Sequence, residues 1–203
     1  MKKNKISKNW IIKQNRAIYV KKSRLEGYRS RAVYKLQEID DKFKIFKNGT
    51  SIIDLGAAPG SWSQFIRKKI KNCKILSIDI NPMEKIPNTF QIIGDFTNIK
   101  YQKEIKDYFK SKVDIILSDM AVNTTGNKNL DSIVTGELCI EAMNFAKDNL
   151  KTEGKFISKI FMGSSFNDIL KKAKENFQEV NIFKPPASRK DSKESFLICK
   201  FLR

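Results

Sequence analysis

The run Asp54-Leu55-Gly56-Ala57-Ala58-Pro59-Gly60-Ser61-Trp62 follows an apolar stretch and opens a segment of helical period. Glycine lets a backbone approach a ligand closely, and a helix N-terminus presents unpaired N–H groups, so such a loop can hold a cofactor. Gly56 and Gly60 are four apart with Pro59 between them. The pyrophosphate-cradling G-x-G-x-x-G pattern is therefore missing, which argues against a nicotinamide-dependent oxidoreductase. Asp79 closes the next apolar run, about 20 residues on, where a carboxylate can accept hydrogen bonds from both hydroxyls of a ribose. Asp95, in Gly94-Asp95-Phe96, could accept from an exocyclic amine while Phe96 packs a base. Each acid alone reads more readily as a helix cap. Placed at successive strand ends, the three features describe a pocket for an adenosine that carries a compact zwitterionic tail.

Two further charges stand in unexpected company. Asp119 and Lys159 border apolar runs that read as central strands. An unpaired charge there is costly, so both should face a crevice at the strand ends. The chain contains no histidine, which removes Ser-His and Cys-His nucleophiles and leaves Lys, Asp, Glu, Tyr or Cys to move protons. Cys73, Cys139 and Cys199 are far apart; without a CxxC pair they suggest buried thiols in a reducing compartment, with neither a metal site nor a disulfide framework.

The elements that must position these residues alternate. Ser51–Leu55, Ile75–Ile80, Phe90–Ile93, Val113–Ser118 and Phe156–Phe161 are short apolar runs of the kind that form buried parallel strands. Trp62–Ile70, Asn98–Phe109, Ser132–Leu150 and Ser165–Phe177 lie between and after them with helical period. Ahead of them Ala32, Val33, Leu36 and Ile39 recur at spacings of three and four, predicting a helix over Tyr28–Phe43 with Ser30 as a possible cap. Strand and helix in alternation give a doubly wound α/β sheet with helices on both faces. Val180–Phe183 and Glu194–Phe201 are joined too closely for a crossover helix and should pair antiparallel.

At 203 residues the chain suits one domain burying about two-thirds of its unfolded surface. Residues 1–27 read as a basic N-terminal arm with Trp10, Ile11 and Ile12 as its apolar anchor, ahead of a domain over 28–203. The arm has no apolar core like that of a secretory signal. No run approaches the roughly 20 apolar residues of a membrane span, so no membrane is expected as partner. A formal net charge of +18 favours a polyanion, nucleic acid or an anionic surface, although the predominance of lysine could also reflect composition alone.

The chain resembles the FtsJ/RrmJ (RlmE) family of ribosomal RNA 2′-O-ribose methyltransferases. The resemblance rests on Ser30-Arg31-Ala32-Val33-Tyr34-Lys35-Leu36, on the Asp54–Trp62 run extended through Ser63-Gln64, and on Ser118-Asp119-Met120-Ala121. Lys159-Ile160-Phe161, Ser188-Arg189 and Lys193-Glu194 continue it, from about Trp10 to Arg203. It implies a seven-stranded Rossmann-like methyltransferase sheet with an antiparallel last strand. It also implies S-adenosyl-L-methionine as cofactor, held by Gly56, Gly60, Trp62, Asp79, Asp95 and Asp119. The family's catalytic Lys-Asp-Lys-Glu set falls on Lys35, Asp119, Lys159 and Glu194. Two departures are Val122, where the family usually has Pro, and Ser61, where Gly is frequent.

What the resemblance implies is methylation of a ribose 2′-hydroxyl, that of a uridine, in large-subunit ribosomal RNA or a large-subunit particle. A free lysine keeps its proton well above neutral pH; Lys159 could act as base if desolvation and the nearby Lys35 disfavoured its ammonium. Asp119 and Glu194 would orient the lysines and the hydroxyl. In an alternative division, Lys159 only steers the hydroxyl and proximity supplies most of the rate. RNA contacts are expected from Lys13, Arg16, Lys21 and Lys22, from Arg24, Arg29 and Arg31, and from Arg189, Lys190 and Lys193, with steep salt dependence. The expected setting is a cytoplasmic monomer, with an organelle matrix as the alternative. Competing functions are 2′-O-methylation of a tRNA or an mRNA cap, and a non-catalytic RNA-binding module for ribosome assembly.

Overall fold

A computed structural model describes residues 8–121, 128–189 and 192–203, with side chains in its first and fifth helices described from Ala17 and Ser132 onward. The elements run α1 (Lys8–Leu25), α2 (Val33–Phe43), β1 (Thr50–Leu55), α3 (Ser61–Lys69), β2 (Cys73–Asp79), β3 (Thr89–Ile93), α4 (Ile99–Phe109), β4 (Val113–Ser118), α5 (Lys128–Asn149), β5 (Leu150–Phe161), α6 (Phe166–Asn176), β6 (Phe177–Phe183) and β7 (Glu194–Leu202). The seven strands form one sheet in the order β3-β2-β1-β4-β5-β7-β6. Strands β1 to β5 are parallel neighbours, and β7 is inserted between β5 and β6, antiparallel to both.

The central strands are apolar on both faces because helices cover both. One core layer joins Ile53, Leu76 and Ile116 of the sheet to Ile105, Met143 and Ile169 of α4, α5 and α6. The other joins Ile52, Ile75 and Ile115 to Leu36, Ile39 and Ile66 of α2 and α3. Each fully buried Ile or Leu of this kind contributes about 1.5–3 kcal/mol. The order of strands reverses at β1, with β2 on one side and β4 on the other, and that reversal opens a crevice at the strands' C-terminal ends.

Two local expectations shift. Helix α2 begins at Val33, because the residues from Tyr28 to Ala32 are spent on turn contacts. The Arg29 amide donates to Gln64 Oε1 at 3.0 Å, and the Ser30 hydroxyl bonds Ser61 Oγ at 2.8 Å. Ser30 accepts from the Ala32 amide at 3.2 Å, an ST-turn inside which the helix has not yet started. The basic arm contains a helix whose last turns dock on α2. The Tyr19 ring leans on Tyr34 with centroids 5.4 Å apart, and Ser23 is buried. The side chains of Trp10, Ile11, Ile12, Lys13 and Arg16, together with Val122 and Lys190, lie outside the described residues. Among those described, no helix is long and apolar enough to cross a membrane, and no group of His, Cys, Asp and Glu could hold a metal ion.

Candidate active site

The crevice at the C-terminal ends of β1 to β4 holds a cavity of about 550 Å³. Its floor is the loop after β1. Gly56 has φ +69°, and a Cβ there would collide with Met120, whose side chain lies against it; glycine is required on both counts. Asp79 closes β2 and organises its own surroundings. Its Oδ2 accepts from the Ala58 amide at 2.9 Å, and its Oδ1 accepts from the Asn81 amide at 2.8 Å. Asp95 follows β3; one of its oxygens accepts from the Thr97 amide and hydroxyl at 2.9 and 2.8 Å, the cap-like turn an aspartate there would make anyway. Phe96 is buried beside it, edge-on to Phe145. Met120 and Leu138 complete the apolar part of the wall.

The charges lining this cavity are Asp79, Asp95 and Asp119, with no Lys or Arg among its described lining residues. In a chain of net charge +18, that local reversal of sign selects a cationic ligand over a pyrophosphate. S-adenosylmethionine, which bears a sulfonium and an ammonium, fits the donor set: carboxylates for the cationic tail and ribose, and an apolar wall for the adenine.

Asp119 belongs to a second constellation as well. Its Oδ1 stands 3.0 Å from Lys159 Nζ and 4.0 Å from Lys35 Nζ, and Lys35 Nζ donates to Glu194 Oε2 at 2.8 Å. The side chains of Lys35 and Lys159 are 10% and 8% exposed, rare burial for lysine unless it is paired. Four elements deliver the four groups. Lys35 comes from the first turn of α2, Asp119 from the end of β4, Lys159 from β5, and Glu194 from the first residue of β7, which pairs with Phe161. Ser188 Oγ donates to Glu194 Oε1 at 2.7 Å, and Arg31 holds the preceding residue through the Ala187 carbonyl at 3.1 Å.

The electrostatics divide two buried acids. Burial pushes the Asp119 carboxyl up, but the Lys159 and Lys35 ammonium groups outweigh it and hold the carboxyl below its usual range. Asp54, at the end of β1, is 1% exposed and has hydroxyls for company instead of cations: Ser63 Oγ donates to its Oδ2 at 2.7 Å and shares a 2.7 Å hydrogen bond with Ser77 Oγ. Burial, with the Asp119 and Asp79 charges adding to it, raises the Asp54 carboxyl to about 7 despite the Ser63 bond.

The structure thus brings Gly56, Asp79, Asp95 and Asp119 to one cavity, and Lys35, Asp119, Lys159 and Glu194 to one chain of ion pairs. Gly60 and Trp62, expected at the cofactor, sit at the N-cap and in the first turn of α3, directly after the loop that floors the cavity. Gly60, with φ +102°, packs under Arg29 and Ile86. Trp62 is buried, donates from Nε1 to the Ala32 carbonyl at 2.9 Å and leans on Phe196, so it supports the α2 segment that carries Lys35. Arg29, expected on an RNA surface, is committed to the protein itself. Its guanidinium donates to the Pro59, Glu84 and Lys85 carbonyls at 3.0, 2.9 and 3.0 Å, tying the loop after β2 to the glycine loop. Sequence reading gave no separate role to Asp54 or Met120; the signal was in the motif, since an acid two residues ahead of Gly56 inside an apolar strand has no solvent to face.

Comparison with known proteins agrees with this fold. A family model described as FtsJ-like methyltransferase matches residues 28–202. The ribosomal RNA large subunit methyltransferase E of Pelagibacter ubique is 63% identical over 203 residues, covering 100% of both chains. The protein of that name from Legionella pneumophila (strain Corby) is 43% identical over 202 residues, covering 98% of each. The crystal structure of a Plasmodium falciparum protein described as a ribosomal RNA methyltransferase superposes with a TM-score of 0.79 at 35% identity, covering 86% of this chain and 98% of that one. With its seven-stranded sheet, its carboxylate-lined cleft for S-adenosylmethionine and a match over nearly its whole length, the chain belongs to the FtsJ-like methyltransferase family.

Proposed function

We propose that this enzyme methylates the 2′-hydroxyl of a uridine ribose in large-subunit ribosomal RNA. The observation that carries the reading is Asp119, which lines the cofactor cavity and also joins the ion-paired chain of Lys159, Lys35 and Glu194. An acceptor hydroxyl seated on Lys35 and Lys159 would face the cavity that would hold the cofactor. The named relatives, ribosomal RNA large subunit methyltransferases, support the choice of RNA.

S-adenosylmethionine, when bound, supplies an electrophilic methyl on a sulfonium. The chain's own groups supply position and proton transfer. Lys35, fixed by Glu194, holds the ribose oxygen. Lys159 Nζ, the base in this reading, takes the 2′-hydroxyl proton as the methyl passes to the oxygen, and Asp119, 3.0 Å away, fixes its direction. General-base catalysis of this kind contributes about 10²–10⁴-fold, and holding the two reactants in line contributes further. Outside the cleft, the exposed Lys21, Arg24, Arg189 and Lys193 would hold phosphates, giving binding that weakens steeply with salt.

The test is transfer of labelled methyl from S-adenosylmethionine to undermethylated large-subunit particles and to naked RNA, followed by nuclease and alkaline digestion. Label in an alkali-resistant dinucleotide carrying uridine supports the reading. Label on a base, or on tRNA alone, overturns it. Cofactor binding with no transfer to any RNA would favour a binding module.

A further inference from the structure

The end of the sheet opposite the catalytic cleft carries the reverse charge. The turn from α2 to β1 bears Lys44 and Lys47, and that from α3 into β2 bears Lys71 and Lys74. The turn from α4 to β4 bears Lys110 and Lys112, and the opening of β5 bears Lys151 and Lys155. Four successive helix-to-strand connections thus hold eight lysines against one acid of their own, Glu153. The neighbouring Asp114 is matched to Lys151 at 2.8 Å. Cations at helix C-termini are ordinarily explained by the helix dipole, but that explanation falls short here. Lys44 and Lys110 stand at left-handed C-cap positions, with φ 50° and 59°, where glycine would sit without strain. Lys47, Lys71, Lys74 and Lys112 lie beyond the helix ends.

A cavity of about 610 Å³ opens at this end beside the starts of β1 and β2, lined by Arg67, Lys71 and Lys74 and by no acidic residue among those described. Two of its cations are fixed by main-chain carbonyls, Arg67 Nη1 on Cys73 O at 2.8 Å and Lys74 on Tyr108 O, which direct the groups without neutralising them. Beside the cavity Phe90 and Tyr108 stack with centroids 4.6 Å apart, and Lys74 lies 4.2 Å from the Tyr108 ring. Fixed guanidinium and ammonium groups next to an aromatic ledge match the phosphate and base chemistry of RNA.

We propose that this lysine-rich end is a second RNA-binding surface, which grips a segment of the substrate particle remote from the ribose being methylated. The proposal rests on the reading of the substrate as RNA. Strand β2 rises about 3.3 Å per residue, which sets the two surfaces roughly 20 Å apart. The enzyme then spans two RNA elements, and a short fragment around the target cannot reach both.

The test compares Lys47→Gln/Lys71→Gln/Lys112→Gln with a control of equal charge loss on exposed helix surfaces, Lys100→Gln/Lys103→Gln/Lys171→Gln. Binding to purified large-subunit particles is measured across a salt series, with cofactor affinity as the check on folding. The first variant should bind particles about tenfold or more weakly, with a salt slope lower by roughly two to three, since each lost phosphate contact removes about 0.7–0.9. The control should stay near the native chain. Equal loss in both variants, or none in either, overturns the proposal while leaving the RNA reading intact. A native chain that ignores every RNA tested brings down both. Loss of binding to vesicles containing anionic lipid, with particle binding unchanged, would assign the surface to a membrane instead.

Discussion

The two halves of the catalytic crevice are built on different plans. The cofactor half is made from residues at or just after the ends of β1, β2 and β3, and its carboxylates are fixed mostly by near neighbours: Asp79 by Asn81 and by Ala58 of the glycine loop, and Asp95 by Thr97. The acceptor half collects Lys35, Asp119, Lys159 and Glu194 from α2, β4, β5 and β7, where Lys35 and Glu194 are 159 positions apart. The first half is a set of loops that a strand end almost dictates. The second exists only when the whole sheet has closed. Binding and chemistry should therefore fail separately, except at the one residue they share.

The sharpest break is Lys159→Ala, expected to lower kcat by about 10³-fold or more, combining a lost base with a lost orienting group, while cofactor affinity stays within about twofold to threefold of native. Single-turnover methylation beside calorimetric binding of the cofactor separates the two. Lys159→Arg sharpens the point, because a guanidinium keeps the charge and cannot serve as base; it should be nearly as inactive. Asp119→Asn should fail both tests, with turnover down about 10²-fold and cofactor binding about tenfold weaker, as a charge-assisted contact worth roughly 1.5–3 kcal/mol is lost on each side. A variant impaired in one measurement alone would show that the halves are not joined there. Asp79→Asn should weaken cofactor binding about tenfold with kcat at saturation near native, the mirror image of Lys159→Ala.

The smallest effect on activity is expected at Asp54, beneath both halves, and it is read through pH. Burial holds its carboxyl at about 7 in the fold, against the 3.8 of an ordinary aspartate. Between those values the folded chain holds a proton that the unfolded chain has released, so stability from this group is fully present below about pH 4 and is lost as pH rises through 7. Asp54→Asn should remove that decline, raising the melting temperature by a few °C at pH 8 with little change at pH 4. A melting temperature that falls equally with pH in both proteins would show Asp54 ionised in the fold.

The same division explains what could be read from sequence. The glycine loop, Asp79 and Asp95 sit at the ends of apolar runs and declare themselves by local spacing, and the strands were visible for the same reason. Lys35 and Glu194 carry no local signal: a single charge beside apolar residues reads as the solvent face of a helix or strand, and their pairing joins positions 159 apart. They were reachable by resemblance to a family, as was the placement of Trp62 near the site, whose indole also braces α2 through the Ala32 carbonyl. The internal bonds of Arg29 were hidden for a related reason. A basic residue in a basic arm reads as a nucleic-acid contact, and nothing local says that three carbonyls from two other loops will claim it. The start of α2 was misjudged because apolar spacing continues through a turn whose hydrogen bonds go to Gln64 and Ser61.

The reversed direction of β7 has a practical consequence. Because the strand runs against β5, its first residue reaches the catalytic crevice and its last, Leu202, lies roughly 27 Å away at about 3.4 Å per residue, with Lys200 opposite Lys155. A fluorophore or affinity tag joined after Arg203 would leave cofactor binding untouched and crowd the lysine-rich end. Tagged and untagged preparations could thus agree on every small-molecule assay and still disagree on how well they hold the particle.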